Sequence, residues 1–261
     1  MKPFLENKFF SSSNYLETIS LFARNLLLKL SSCDLCGGSC QKYPLLCHDC
    51  EESLAKFYYR KVEGDLLNWP NIYQSLPNIY FDHLIALAPH QQPFQSWLSQ
   101  LKYQGRFELA TLLGELLAVQ YQYLSTGFEL QQPDLITCVP IHLKRWQERG
   151  FNQSHLLTQQ VIKHLKKAIS LPYDPNLIKR CTNTAKQVGQ TGKERRKSLQ
   201  GAFSLNTTIS LPKHVMLVDD VVTTGATASA ISYLLKQHGV EKVTLMTVTI
   251  ALNKQSNAHT L

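Results

Sequence analysis

No stretch of this 261-residue chain reaches the roughly 18 uninterrupted apolar residues that a membrane-spanning helix requires. The early segment LETISLFARNLLLKLSS has some look of a secretory leader, but Glu17, Arg24, Asn25 and Lys29 interrupt it and no small-residue cleavage site follows. Its Leu16, Ile19, Ala23, Leu26, Leu27 and Leu30 fall at helical spacing, so residues 1–32 are expected to form an amphipathic helix packing on the protein itself. A cytoplasmic location is the expectation. A GxxxxGK(S/T) phosphate loop is missing too, which excludes P-loop nucleotide chemistry.

Cysteine is scarce outside one place. Five of the seven lie in CDLCGGSCQKYPLLCHDC, leaving Cys138 and Cys181 to read as ordinary apolar, buried positions. Within the cluster, Cys33 and Cys36 form one C-x2-C pair and Cys47 and Cys50 another, ten residues apart. Each such turn can aim two thiolates at one cation, and two turns complete a tetrahedral four-sulfur site suited to zinc. A reducing compartment disfavours disulfides, and all four positions are filled by protein, so residues 33–52 are predicted to be a structural Zn2+ module. Cys40 and His48 are left over. Redox chemistry is the competing reading of the cluster.

Acidic residues thin out along the chain. Residues 1–132 carry 10 Lys/Arg against 12 Asp/Glu, a net −2, whereas residues 133–261 carry 17 against 7, a net +10. A basic half attracts polyanions or phosphorylated ligands; simple solubility is the alternative. Between the halves, residues 80–132 read as a strand (DHLIALAPH) and two helices broken near Gly105, forming a connecting region. Lys102 and Arg106 flank the break and read first as solvated charges, second as ligand-facing ones.

From residue 133 to 252 the pattern alternates. DLITCVP is a short, nearly continuous apolar run of the kind found in buried parallel strands. LIKRC, HVMLVDD and EKVTLMTVTIAL give three more strands, with helices after the first and third. The fold class predicted is α/β with a parallel central sheet, in which ligands bind outside the carboxyl ends of the strands. The loops after Pro140, Cys181 and Asp219 should then meet over one site.

The third of these strands runs into Asp219 and Asp220 and then into Thr223, Thr224, Gly225, Ala226 and Thr227. A turn of that composition entering a helix is a cradle for a phosphate, since outward N–H groups and the helix dipole favour an anion. The two carboxylates would repel that phosphate, so they must address hydroxyls instead. A ligand with a diol at one end and a phosphate near it, such as a ribose 5-phosphate, meets both demands. An acidic pair also opens phosphoacceptor receiver domains, but these need about a hundred further residues, a typical domain length, whereas 41 follow Asp220.

VMLVDDVVTTGAT resembles the phosphoribosyl pyrophosphate (PRPP) motif of type I phosphoribosyltransferases. Over about residues 33–252 the chain resembles the competence protein F (ComF) family, on the C-x2-C pairs, LKYQGRFELATLLG, VPIHLKRWQERGFNQ, ERRKSLQGAF and the PRPP motif. Gln190 and Ser198 depart from the pattern, which usually has Leu and Asn there. The resemblance implies a zinc-ribbon-like module joined to a phosphoribosyltransferase fold. Asp219 and Asp220 would hold the ribose hydroxyls and act as the catalytic pair, Thr223 to Thr227 the 5-phosphate, and Lys144, Arg145 and Arg149, near His142, the pyrophosphate. The polar segment 182–202 would be a lid, with Lys193, Arg195, Arg196 and Lys197 closing on phosphates or lying along nucleic acid. Mg2+ would accompany PRPP. The family is linked to natural transformation and to incoming single-stranded DNA, which makes single-stranded DNA, PRPP or a related sugar phosphate, and an uptake or helicase component the implied partners. Transfer of phosphoribose to an acceptor is the alternative activity, and nothing in the sequence names the acceptor. Trp146, Phe151 and Tyr103 read as core residues first and stacking surfaces second.

Overall fold

Strands that read as unbroken apolar runs form the centre of the molecule. The structure, a computed structural model, describes residues 31–165, 171–181, 201–206 and 211–252. The expected helix over 1–32 falls almost wholly outside them, as do Gln190, Ser198 and the lid candidates Lys193, Arg195, Arg196 and Lys197. The chain divides into two compact units, at residues 1–53 and 54–261.

In the first unit, residues 33–38 form a tight turn in which the Cys33 amide donates to the Gly38 carbonyl (2.7 Å) and the Gly37 amide to the Cys33 carbonyl (2.8 Å). Gly37 sits at a φ of 74°, in the left-handed region that an L side chain resists. Tyr43 and Leu46 pair across a second turn, and a short helix α1 (His48–Glu52) follows. Such a small element buries little apolar surface by itself.

In the second unit, β1 (His83–Pro89), β2 (Leu135–Cys138), β5 (His214–Val222) and β6 (Lys242–Ile250) form a four-stranded sheet in the order β1-β6-β5-β2, with every neighbouring pair parallel. All of β1 and all but the first residue of β6 are buried, as expected of parallel strands covered on both faces. β1 therefore comes from the region expected to connect the two halves, and lies in the same sheet as the acidic strand. Helices α3 (Phe94–Tyr103) and α4 (Glu108–Gly127) follow it, separated at Gly105, whose φ of 67° ends the first helix. α4 packs against α6 (Gln153–Leu165) where Gly114 meets Gln160; a methyl group at Gly114 would lie 2.4 Å from the Gln160 Cβ. A short helix α2 (Pro70–Ser75) precedes β1, and α7 (Ala226–Gln237) packs on β6.

Both sheet edges are covered. On β1, the Tyr59 hydroxyl donates to the Ala86 carbonyl and accepts from the Ala86 amide, both at 2.7 Å, and Asp65 accepts from the Leu84 amide. On β2, the Ile136 amide and carbonyl are taken up by Pro172 and Asp174. Unpaired strand edges invite intermolecular pairing, and these contacts remove the opportunity.

The strand expected at 177–181 does not join the parallel sheet. β3 (Ile178–Arg180) pairs antiparallel with β4 (Phe203–Leu205) in a separate two-stranded ribbon. Its burial alternates, with Ile178 buried and Lys179 exposed, which suits a ribbon with one wet face. Cys181, just beyond it, is exposed and lies 3.0 Å from the Ser204 hydroxyl, contrary to the buried position expected; Cys138 is buried as expected.

Candidate functional site: an acidic pair facing a basic cleft

Because the four strands run parallel, their carboxyl ends share one side of the sheet, and a cleft of about 1210 Å³ opens there. β5 brings Asp219 and Asp220 to its floor. The loop after β2 leads into α5 (Leu143–Arg149), started by His142, whose Nδ1 accepts from the Lys144 amide, and stopped at Gly150, with a φ of 79°. This helix brings Lys144, Arg145 and Arg149 to the cleft wall. Arg180 joins them from the β3 ribbon, its guanidinium pulled below its ordinary range by burial and by the charge of Arg145. The cleft is thus acidic on the floor and basic on one wall.

The acids are held from several directions. Asp219 Oδ1 accepts from the Ser154 hydroxyl at 3.0 Å and from the Asp220 amide at 2.9 Å. Asp220 Oδ1 accepts from the Gln153 amide group at 3.3 Å, and its Oδ2 pairs with the Lys102 ammonium. Burial, followed by the charge of Asp220, pushes the Asp219 carboxyl up to about 7; the Asp220 amide, Ser154 and Lys102 oppose the shift. His90, following β1 on the same side, donates or accepts at Thr249, and burial pulls its pKa down, with the charge of Lys102 adding to the effect.

Five groups close a ring across the cleft. Lys102 pairs with Asp220, Asp220 accepts from Gln153, and the Gln153 carbonyl oxygen accepts from Arg149 Nη1 at 3.3 Å. Arg149 Nη2 then donates to the Tyr103 hydroxyl at 3.0 Å, and Tyr103 is the neighbour of Lys102 on α3. The ring ties α3, β5, α6 and α5 together at one place.

Beside the acids, Thr223 and Thr224 turn into Gly225, which precedes α7 at φ 68° and ψ 0° with no side-chain cap on the helix. Asp219 and residues 221 to 228 bound a hollow of about 60 Å³ at this helix end, contiguous with the larger cleft through Thr223 and Thr227. A methyl group at Gly225 would lie 3.2 Å from Leu76 Cδ2 and 3.5 Å from both Ile79 Cγ2 and Phe81 Cε1. The turn thus combines a left-handed backbone with close packing behind it.

Lys144, Arg145, Arg149, Asp219, Asp220 and Thr223 to Thr227 all lie around these two adjoining hollows, whereas Trp146 lines neither. Ser154, Gln153, His90 and Arg180 were missed by sequence reasoning. A signal for the first two existed, since Gln153 closes the VPIHLKRWQERGFNQ motif, Ser154 follows it, and together they open α6. Lys102 is not the solvated charge first expected, being mostly buried against Asp220. Arg106 is bound to Glu108 and Gln100. Tyr103 is 68% exposed and Trp146 50% exposed, so neither is a core residue; Phe151 stacks edge-on against Phe107.

In the first unit, one sulfur each from Cys33, Cys36, Cys47 and Cys50 lies within 4.8 Å of all the others. Cys36 and Cys47 are 3.6 Å apart. Four sulfurs about 2.3 Å from a shared tetrahedral centre would be separated by about 3.8 Å, so the cluster fits one such ion. The Gly38 amide donates to Cys36 Sγ. Burial raises the Cys33 thiol, but the backbone amides of Cys47, Cys36 and Leu35 outweigh it and hold the pKa at about 6. Cys50 is pushed far up by the Cys47 and Cys36 thiols, a cost of crowding that a cation would remove. His48 is exposed and faces Glu52.

No protein-family model matches the chain. Among solved structures, a hypoxanthine phosphoribosyltransferase from Staphylococcus aureus matches 54% of this chain and 62% of its own, at 16% identity and a TM-score of 0.33. Relatives in sequence are nearer. The DNA utilization protein YhgH of Escherichia coli O157:H7 is 32% identical over 81% of this chain and 86% of its own. Competence protein F of Haemophilus influenzae is 32% identical over 206 residues, 76% of this chain and 87% of that protein. At that identity and coverage, the chain belongs to the competence protein F family.

Proposed function

We propose that this protein serves the uptake or use of incoming DNA, and that the cleft at the sheet end is a PRPP-type pocket for a ribose phosphate. The names of its relatives, a competence protein and a DNA utilization protein, support the first part. One observation carries the second: Asp219 and Asp220, near the end of β5, stand beside an uncapped helix terminus where Gly225 makes a left-handed turn along a small hollow. Acceptors for hydroxyls and donors for a phosphate then stand side by side. In this reading the acids take the ribose 2- and 3-hydroxyls, and residues 223 to 227 take the 5-phosphate. Lys144, Arg145 and Arg149 face a pyrophosphate from the wall, and the net charge of +10 in residues 133–261 draws single-stranded DNA. Mg2+, when bound with PRPP, would screen its phosphates. The four cysteines hold a structural Zn2+, supported by their sulfur separations.

The test is calorimetric titration with PRPP and Mg2+, comparing the wild type with Asp219→Asn/Asp220→Asn. Binding by the first and not the second supports the pocket; no binding by either removes it and leaves the basic half to DNA alone. A second reading, transfer of phosphoribose to an acceptor, is favoured by the basic wall opposite the acids, which would receive a leaving pyrophosphate. PRPP hydrolysis or exchange measured with the same variants decides it.

A further inference from the structure

The acidic pair is already crowded by the protein's own groups. Asp219 Oδ1 accepts from Ser154 and from the Asp220 amide, Asp220 Oδ1 from Gln153, and Asp220 Oδ2 is paired with Lys102. Three of the four carboxylate oxygens thus carry a protein group. A Mg2+ ion demands near-octahedral oxygens at about 2.0–2.1 Å and sheds its waters reluctantly. Among the described residues, no third His, Cys, Asp or Glu joins Asp219 and Asp220 at metal-holding distance, whereas the four cysteines do form such a group. An ion on Asp220 would also lie next to the Lys102 ammonium, where like charges removed from water repel strongly. With Lys102 in place, the pair does not fit a divalent cation.

Lys102 is built into that position. Its side chain is 18% exposed and that of Asp220 7%. On α3, Leu101 before it is fully buried and Tyr103 after it is bonded to Arg149, so the helix end is anchored on both sides of Lys102. An ammonium offers three donors and no acceptor, a carboxylate only acceptors, and a hydroxyl one donor together with acceptor lone pairs. A ribose hydroxyl lying between Asp220 and Lys102 therefore donates to the one and accepts from the other.

We propose that Lys102 is the resident cation of the acidic floor: it keeps divalent ions off Asp219 and Asp220 and, together with Asp220, grips a ribose hydroxyl. The ligand class this selects is a ribose 5-phosphate held at its diol without a bridging metal ion. Mg2+ is then left to the pyrophosphate of PRPP. The grip rests on the ribose phosphate reading of the cleft; the exclusion of divalent ions does not.

The probe for the exclusion is Mn2+, followed by electron paramagnetic resonance on the full chain with its cysteine site saturated with Zn2+. Wild type should leave Mn2+ free. Lys102→Met should take up one ion, which is lost again when Asp219→Asn/Asp220→Asn is added. Lys102→Arg keeps the charge and should exclude Mn2+ as the wild type does; uptake by this variant would show that charge is not what excludes the ion, and overturns the proposal. Equal uptake in wild type and Lys102→Met, whether one ion or none, also overturns it. Lys102→Gln repeats the measurement should the methionine variant not fold. Calorimetric titration with ribose 5-phosphate, in buffer free of divalent ions and in excess Mg2+, tests the grip. Wild type should bind equally in both. Without Mg2+, Lys102→Met should bind about tenfold or more weakly, the effect of one lost hydrogen bond from a charged donor, and Mg2+ should restore part of the loss. Equal affinity of the two proteins in divalent-free buffer overturns the grip. Wild-type binding that requires Mg2+ overturns it too and leaves the pocket standing. If ribose 5-phosphate binds under no condition while Mn2+ enters Lys102→Met alone, the pocket falls and the exclusion stands.

Discussion

Lys102, in the last turn of α3, reaches the carboxylate of Asp220 on β5, and both side chains are largely removed from solvent. The pair spans the cleft floor. Its presence means that a protein cation occupies one side of the acidic pair. A diol approaching Asp220 meets that ammonium.

Removing one partner of a buried ion pair is costly because the other stays buried and unpaired, about 3–5 kcal/mol in enclosed settings. This pair borders an open cleft, so Lys102→Met should lower unfolding free energy by less, about 1–3 kcal/mol. Adding Asp220→Asn to Lys102→Met should recover much of the loss. Urea unfolding of the two single variants and the double variant measures the coupling; simple additivity would show that the contact contributes nothing.

Asp219 gives the fold a pH dependence of defined sign. Its carboxyl rises from the ordinary 3.8 to about 7, chiefly through burial and next through Asp220. Between those values the folded chain holds a proton that the unfolded chain releases. On account of this group, stability is greatest below about pH 4, falls as pH rises toward 7, and levels off above it, with a slope of at most about 1.4 kcal/mol per pH unit. Stability measured from pH 5 to 8 should therefore fall more in the wild type than in Asp219→Asn. Because only the ionised form offers all its lone pairs to hydroxyls, ribose 5-phosphate affinity should rise through the same interval.

What the sequence disclosed was local. β5, the Thr-Gly turn and α7 are contiguous, so the acids and the hollow at the helix end could be placed together from one short segment. The C-x2-C pairs are similarly self-contained, since each turn positions its own two sulfurs. Lys102 and Asp220 meet only because β1 inserts beside β6 and carries α3 to the carboxyl end of the sheet, a tertiary fact with no local mark. The β3 ribbon was open to better reading. In LIKRC a buried Ile178 is followed by charged Lys179 and Arg180, an alternation unlike the apolar runs of β1, β5 and β6. Tyr103 and Trp146 read as core because aromatics usually are; Tyr103 is exposed as the last residue of α3 beside the cleft, and Trp146 lies on α5, a short helix with no buried residue.

Gly225 is the position where backbone geometry limits the anion cradle most directly. At a φ of 68°, a non-glycine residue costs roughly 1–2 kcal/mol, and a Cβ would also crowd Leu76, Ile79 and Phe81. Gly225→Ala should destabilise the protein by about that amount and weaken ribose 5-phosphate binding at least tenfold, as the first turn of α7 shifts. Gly239→Ala, at a φ of 94° with open space about it and outside both hollows, carries the same backbone strain and serves as the control. Thermal unfolding with calorimetric titration separates the two effects; unchanged binding in Gly225→Ala would mean the phosphate sits elsewhere.

The four-sulfur cluster makes a prediction about which cysteine matters. The sulfurs of Cys33, Cys36, Cys47 and Cys50 lie within reach of one ion, while Cys40 is buried outside that set. Metal analysis of the purified chain should give one zinc per molecule. Replacing any one of the four by Ser should lower that content sharply, because three thiolates and a hydroxyl bind zinc far less well. Cys40→Ser should retain it. A chelator should release the ion and unfold residues 31–53, which have little apolar surface to hold them, so hydrogen exchange in that segment should rise to the rate of an unstructured chain. Protection that persists in 31–53 after complete zinc removal would show that the turns fold without the metal.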